Sequence, residues 1–144
     1  MSVEDTFDIQ ALIARFANSF DVKDWAGLQA CLADPLETDY SDLRGTPPAT
    51  VRAADYVQSR RDSLEGLQTH HLGGNCEIDY AGSQNATARV SMVIWRKSGA
   101  GEFTSHCVYA FHLVKIGDEW KIGGIAQRVL WNDGQPSVHP GAKK

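Results

Sequence analysis

Residues 9–21, IQALIARFANSFD, decide the first element of the fold. Their apolar side chains recur at the three- and four-residue spacing of one helix face, which comprises Ile9, Leu12, Ile13, Phe16, Ala17 and Phe20. Asp21 extends this face because it follows Ala17 by four residues. A carboxylate on the core side of a helix is costly without a partner, since burial disfavours its charged form. The sequence therefore predicts a buried helix whose Asp21 needs a partner, and a histidine is the expected one.

The length and composition predict one globular domain. The chain has 144 residues, 42% of them apolar, which is enough for one buried core and too little for two ordinary domains. We expect the domain to span residues 1–135, followed by a short C-terminal tail at 136–144.

Charge and composition argue against several classes of protein. The formal net charge of −4, with scattered Lys and Arg, argues against a nucleic-acid partner. The acidic residues near the N-terminus do not fit a signal peptide, and no apolar run approaches the roughly 20 residues of a membrane span. We therefore expect a cytoplasmic protein without a membrane partner. Cys31, Cys76 and Cys107 lack metal-type spacing, so we expect reduced thiols, with neither a disulfide nor a metal site.

The first half of the chain predicts helices and one short strand. Asp24 fits the cap of a second short helix, and residues 37–40 fit a strand that carries Tyr40. Residues 51–64 predict a third helix with Arg60 on its outer side.

The second half changes to the period of two that is typical of strands. Four such segments, separated by glycine-containing turns, are residues 72–80, 86–97, 102–115 and 120–131. Helices followed by an antiparallel meander indicate an α+β fold. The alternation assigns to one sheet face Ala88, Val90, Met92, Ile94, Arg96, Phe103, Ser105, Cys107, Tyr109, Phe111, Leu113, Ile125, Gln127, Val129 and Trp131. This mostly apolar wall predicts a pocket for a small, largely apolar molecule.

Four motifs carry a family resemblance over nearly the whole chain. They are ANSFDVKDW at 17–25, Asp39-Tyr40, THHLGGN at 69–75 and EWKIGGIAQRVLW at 119–131. In these the chain resembles the SnoaL-like branch of the NTF2-like superfamily and, within it, scytalone dehydratase. The resemblance implies an NTF2-like (cystatin-like) cone-shaped barrel, with N-terminal helices packed in a strongly curved mixed sheet around a deep pocket. It also implies a homo-oligomer, either a dimer or a trimer.

The resemblance further implies an Asp-His dyad that works without metal or organic cofactor. Asp21 matches the family aspartate, His71 the family histidine, and Tyr40 a tyrosine that holds a water against the substrate carbonyl. His70 is assigned to the opposite strand face. An imidazole near neutral pKa can remove a proton α to a carbonyl while a carboxylate fixes its tautomer.

The chain departs from scytalone dehydratase at Phe20, Arg96, Cys107 and Tyr109, which replace a tyrosine, a histidine, a serine and an asparagine. Tyr109 is a candidate to replace the lost phenol, and Arg96 to bind a substrate carboxylate or oxyanion. The residues expected to line the substrate pocket are Phe16, Phe20, Trp25, Met92, Ile94, Arg96, Cys107, Tyr109, Val129 and Trp131.

Each assignment has a structural alternative. Asp21 could cap the second helix, and His71 and Tyr40 could be ordinary core residues; Arg96 could be a solvated charge at a strand end and Cys107 an apolar filler. Three functions follow: a lyase acting by dehydratase-like elimination on a small cyclic oxygenated substrate, an isomerase of the ketosteroid-isomerase or polyketide-cyclase type, and a non-catalytic domain that binds a small ligand.

Overall fold

The computed structural model describes residues 2–144. Within these residues there are four helices: α1 (Val3–Asp21), α2 (Trp25–Ala30), α3 (Ser41–Arg44) and α4 (Ala53–Ser63). The same described part of the chain contains six strands: β1 (Leu32–Asp39), β2 (Ala49–Val51), β3 (Gln68–Tyr80), β4 (Asn85–Ser98), β5 (Gly101–Ile116) and β6 (Glu119–Gly134). A 3-10 turn follows at Pro136–Val138. The predicted α+β class is confirmed, but the three helices and five strands predicted from the sequence are each one fewer than the structure contains within residues 2–144.

The strands form one mixed sheet in the order β2-β1-β6-β5-β4-β3. The strands from β3 to β6 form the predicted antiparallel meander, and β1 joins β6 in parallel. The sheet is curved but open, because β2 and β3 are its two edges and do not pair with each other. The helices therefore pack in an incomplete barrel, not a closed one.

Helix α1 lies across the sheet and supplies the centre of the core. Ser2 and Asp5 form a capping box at its start, each side chain accepting from the other residue's backbone N–H. The predicted apolar face is buried, with Phe16 1% exposed between the rings of Phe20 and Phe111. A fully buried aromatic ring of this kind contributes about 1.5–3 kcal/mol relative to an exposed one.

Strand β6 contains two irregularities that break its alternation. Opposite β5, the register skips Gly123 and again skips Leu130. An extra residue in one strand shifts the following side chains to the other face. As a result, Ile122 and Ile125 are both buried, whereas Trp131 lies on the outer face and is 54% exposed.

The last ten residues fold back over one end of the sheet. The Gln135 N–H donates to the Glu102 carbonyl at 3.0 Å, and the Lys143 N–H donates to the Leu43 carbonyl at 2.9 Å. Val138, His139 and Ala142 are each at most 5% exposed. The segment expected to be a simple tail is therefore packed against the domain. No helix within residues 2–144 combines the length and apolarity that crossing a membrane requires.

Candidate active site

Asp21 and His71 form a close pair where the end of α1 meets β3. His71 Nδ1 lies 2.7 Å from Asp21 Oδ1, and the His71 backbone N–H donates to Oδ2 at 2.8 Å. The Thr69 hydroxyl donates to Oδ1 at 3.0 Å. Asp21 thus has the partner that its sequence position required, and it accepts three hydrogen bonds instead of capping α2. The cap of α2 is Asp24, which accepts from the Gly27 N–H.

The fold fixes the His71 ring from two sides. Strand alternation turns Thr69 and His71 inward, whereas His70 faces outward and stacks on Trp95. The Phe20 ring stacks on the imidazole at 5.1 Å. The His71 side chain is 7% exposed and that of Asp21 is 15% exposed. Burial lowers the pKa of His71 below its usual range, and the hydrogen bond and charge of Asp21 offset this only in part. His71 is therefore neutral at neutral pH.

A cavity of about 30 Å³ lies beside His71. Its lining includes six residues singled out in the sequence, namely Tyr40, His71, Phe20, Ile94, Arg96 and Tyr109. A space of this size holds about one water molecule, and a small-molecule pocket is usually about ten times larger. Binding of a small molecule in this cavity would require lining groups to move. The segment that covers this end of the sheet is residues 135–144.

Three cationic or titratable residues of the lining were missed or misplaced by the sequence analysis. Arg60 was expected outside but is 8% exposed, because it shares the inner face of α4 with Tyr56 and Val57. Its spacing of four from Tyr56 was the available signal. Arg44 is the last residue of the unpredicted α3, and His139 belongs to the tail. Neither gave a periodic signal.

Hydroxyl groups face the cavity from two walls. The Tyr40 hydroxyl lies 2.7 Å from that of Tyr56, and the Gln127 amide donates to the Tyr109 hydroxyl at 3.1 Å. Burial raises the pKa values of Tyr40 and Tyr109 well above the usual range of a phenol. Both phenols therefore remain protonated hydrogen-bond donors at neutral pH.

Arg96 is not a solvated strand-end charge, since it is only 4% exposed. Its guanidinium donates to the Ser105 hydroxyl at 2.8 Å and lies over the Phe103 ring. Together with Arg44 and Arg60 it gives the cavity a strongly positive lining. The mostly apolar wall expected from the sheet therefore meets three guanidinium groups at this cavity.

Six residues expected in the pocket do not line this cavity: Phe16, Trp25, Met92, Cys107, Val129 and Trp131. Phe16 and Met92 are core residues, and Trp25 packs edge-on against Phe20. Cys107 is buried beside Gln127, and burial raises the pKa of its thiol to about 11, so it behaves as the expected filler. Trp131 is turned outward by the irregularity at Leu130 and stacks on His106.

Larger concave surfaces lie outside this cavity. A groove of about 340 Å³ between α1 and β3 includes His71 and Met92. A groove of about 540 Å³ on the outer sheet face is lined by His112 and Thr87 but reaches neither residue of the dyad. We place the candidate site at the small cavity because hydroxyl groups and guanidinium groups converge there beside His71.

Comparisons with known proteins identify the family of the chain. Residues 1–125 match the family model of the SnoaL-like domain. A "scytalone dehydratase-like protein" of Passalora fulva is 27% identical over 142 residues, covering 90% of this chain and 88% of that protein. Another protein of the same description, from Claviceps purpurea, is 26% identical over 142 residues, covering 90% of each chain.

A crystal structure of a Kribbella flavida protein superposes with a TM-score of 0.88 at 22% identity, covering 94% of this chain and 96% of that one. At this identity the superposition shows the fold alone. The family model spans most of the sequence, and the described helices and sheet have the same architecture as the solved structure. The chain therefore belongs to the SnoaL-like domain family of the NTF2-like superfamily, near scytalone dehydratase.

Proposed function

We propose that this protein is a cofactor-independent lyase that removes water from a small cyclic oxygenated substrate by a dehydratase-like elimination. The observation that carries the proposal is the 2.7 Å contact between Asp21 Oδ1 and His71 Nδ1. Because Nδ1 is held by the carboxylate, its proton sits there and the lone pair of Nε2 is free to act as a base. The relatives named as scytalone dehydratase-like proteins support a reaction of this class.

The first step is removal of a proton from the carbon next to a carbonyl group. A neutral imidazole is required, and burial keeps His71 in that form. As His71 accepts the proton at Nε2 it becomes an imidazolium, which the Asp21 carboxylate stabilises. The electron pair of the broken C–H bond moves onto the carbonyl oxygen as an enolate.

The enolate oxygen needs hydrogen-bond donors, and the tyrosines supply them. Tyr109 accepts from Gln127, so its own proton is free to donate. In the Tyr40–Tyr56 pair one hydroxyl donates to the other, which leaves one proton available to the substrate or to a bound water. Donors placed in advance where negative charge develops are usually a large contribution to catalysis.

The second step completes the elimination. The enolate electrons form the carbon–carbon double bond and the carbon–oxygen bond to the β-hydroxyl breaks. His71 returns its proton to the departing oxygen, which leaves as water, and both protein groups regain their starting states. The reaction thus needs no oxidant, reductant or additional reactant.

A carboxylate base, as in the isomerase alternative, fits the geometry less well. Both Asp21 oxygens are occupied by three donors, and Asp21 lies behind His71 as seen from the cavity. Proton abstraction by Asp21 would require those bonds to break. We therefore assign the base to His71 and the positioning of its ring to Asp21.

The test compares His71→Gln with His70→Gln, using a panel of cyclic β-hydroxy-ketones. Water elimination is followed by the absorbance of the conjugated product. We expect His71→Gln to lower kcat/KM by a factor of about 10² to 10⁴, whereas His70→Gln, on the outward face, keeps the wild-type rate. Equal rates in His71→Gln and wild type would refute the mechanism. Ligand binding without turnover of any panel member would favour the non-catalytic alternative.

The outer sheet face supports the expected homo-oligomer, which stays a prediction. Leu72, Trp95, Leu130 and Trp131 are 43% to 58% exposed there, and apolar exposure on one face is typical of an interface. Light scattering of the purified protein measures the mass directly. Trp95→Lys should reduce a dimer or trimer to a monomer, and a monomeric wild type would contradict the prediction.

A further inference from the structure

Three arginines from three different elements converge on the cavity beside His71. Arg44 ends α3, Arg60 lies on α4 and Arg96 lies on β4. Arg60 and Arg96 are 8% and 4% exposed. The Nε atom of Arg44 is buried and has no hydrogen-bond partner within the described residues. This lining thus contains unsatisfied donor capacity as well as charge.

These charges lack a protein counter-charge. Among residues 2–144, the one arginine with a carboxylate oxygen within 4.0 Å is Arg52, which pairs with Asp34 on the surface at 3.7 Å. Arg96 donates to the Ser105 hydroxyl, and Arg60 lies over the rings of Tyr40 and Tyr56, all of them neutral groups. A guanidinium stays protonated at neutral pH even when buried. Buried charge of one sign without compensation is costly, so its retention points to a missing partner.

We propose that Arg44, Arg60 and Arg96 bind the carboxylate of an anionic substrate. The proposal rests on the lyase function in one respect, namely that the bound anion belongs to the molecule on which His71 acts. A carboxylate is the favoured anion because its planar pair of oxygens matches the guanidinium fork, and because it is small. One carboxylate oxygen needs about the room that the present cavity offers to a water molecule.

Two of the three arginines also line a groove outside the cavity. Arg44 and Arg60, with Tyr40 and Tyr56, form one wall of a neighbouring groove of about 380 Å³. Asp55 lines that groove as well, without forming an ion pair with either arginine. A positive wall between groove and cavity would attract an anion and orient it with the carboxylate towards Arg96.

Anion binding would also affect the base. Arg96 is among the groups that lower the pKa of His71, after burial, which has the largest effect. A carboxylate bound to Arg96 would neutralise that influence and make His71 a stronger base when the substrate is present. The arginines would thus connect recognition of the substrate to its deprotonation.

The test uses sodium benzoate and its neutral analogue benzamide, measured by isothermal titration calorimetry at constant ionic strength. We expect benzoate to bind the wild type at least about tenfold more tightly than benzamide, and Arg60→Met and Arg96→Met each to weaken benzoate about tenfold or more. Arg52→Met is the matched surface control and should bind benzoate like the wild type. Arg60→Lys, which keeps the charge, should lie between wild type and Arg60→Met. Benzoate binding by Arg60→Lys would show that the loss of affinity in Arg60→Met follows from the missing charge and not from misfolding.

Equal affinity for benzoate and benzamide, or benzoate binding unchanged in both Arg60→Met and Arg96→Met, would overturn the proposal. As a further readout, benzoate should raise the pKa of the His71 ring measured by NMR, and a pKa that does not move would count against the connection. If the wild type binds benzoate with the expected arginine dependence but turns over no member of the substrate panel, anion binding stands and the lyase function is refuted. Turnover of neutral hydroxy-ketones that neither benzoate nor Arg60→Met affects would do the reverse.

Discussion

The two ends of α1 each hold a carboxylate against the sheet, in opposite electrostatic settings. At the first end, Asp5 accepts from the Trp120 indole at 2.9 Å and from the Lys115 ammonium at 3.0 Å. At the other end, Asp21 accepts from a histidine and two neutral donors, and arginines without carboxylate partners line the cavity beyond. Negative charge is matched at the Asp5 end, and positive charge is in excess at the Asp21 end.

The difference separates stability from function within one helix. At the Asp5 end the hydrogen bonds satisfy donors and acceptors of the protein itself, which is what a stable core requires. At the Asp21 end the arginines that line the cavity have no carboxylate partner. Unpaired buried charge of this kind is typical of sites that bind a ligand or catalyse a reaction. Substitutions at the Asp5 end should therefore change stability, and substitutions at the Asp21 end should change activity.

The largest expected effect is that of Asp21→Asn on activity. The amide presents one acceptor where the carboxylate presents two, and it does not stabilise an imidazolium. We expect kcat/KM to fall by a factor of about 10² to 10⁴. The His71 pKa, measured by NMR, should fall further below its usual range, because the group that raises it is lost. An unchanged His71 titration would show that the pair does not form in solution.

Tyr56→Phe should produce a smaller loss at the same end. It removes the hydroxyl that lies 2.7 Å from that of Tyr40. One lost hydrogen bond of about 1 kcal/mol corresponds to an about fivefold lower kcat/KM. The matched control is Tyr80→Phe, whose hydroxyl contacts Thr6 at 2.8 Å near the Asp5 end. This control should keep full activity, and equal losses in both variants would erase the contrast between the ends.

Asp5→Asn should reduce stability and leave activity intact. The Trp120 indole and the Lys115 ammonium hold the pKa of Asp5 well below its ordinary value of 3.8. A lowered pKa in the folded state contributes stability that is present above pH 3.8 and is lost as the pH falls below it. The melting temperature of Asp5→Asn should therefore be lower than that of wild type at pH 7, and the two should converge in acid. A constant difference across this range would exclude the carboxylate charge as the cause.

The smallest predicted effect concerns the tail over the cavity. His139 Nδ1 accepts from the Gly141 N–H at 2.9 Å, which requires that nitrogen to be unprotonated. Burial, followed by the charges of Arg96, Arg44, Arg60 and Lys144, lowers the pKa of His139 to about 2. The packed tail is therefore fully stable above the ordinary histidine pKa of 6.5 and weakens as the pH falls below it.

Hydrogen exchange at the Lys143 amide, which donates to the Leu43 carbonyl, measures the stability of the packed tail directly. Its protection factor should decrease from pH 7.5 to pH 5.5, while that of Phe111 in the central sheet stays constant. His139→Gln should remove the pH dependence. If the variant keeps it, another group controls the tail.

The sequence predicted most where alternation is regular. Along β4 and β5 the residues assigned inward, from Ala88 to Arg96 and from Phe103 to Leu113, are all buried. It failed at the end of β6, where the extra residue at Leu130 has no signature in hydrophobicity and turns Trp131 outward. Period-two patterns determine a face only as long as no residue is skipped.

The positive half of the candidate site was harder to predict than the dyad. Arg60 lies in a stretch where polar residues surround a few apolar ones, so the buried face of α4 was difficult to identify. Arg44 depends on α3, whose four residues are too short to show a period. His139 reaches the cavity only through tertiary packing of the tail. Long-range placement of charged side chains is not encoded in local periodicity.

The three hydrogen bonds to Asp21 have a consequence for how relatives are compared. Oδ2 binds the backbone N–H of His71 and Oδ1 binds its ring, so one side chain holds both the position of β3 and the imidazole. Selection for correct folding alone would therefore retain this aspartate in descendants that have lost the reaction. Its presence in a homologue is weak proof of shared chemistry. Joint inheritance of His71 with Arg60 and Arg96 would be the more discriminating mark of shared substrate and reaction.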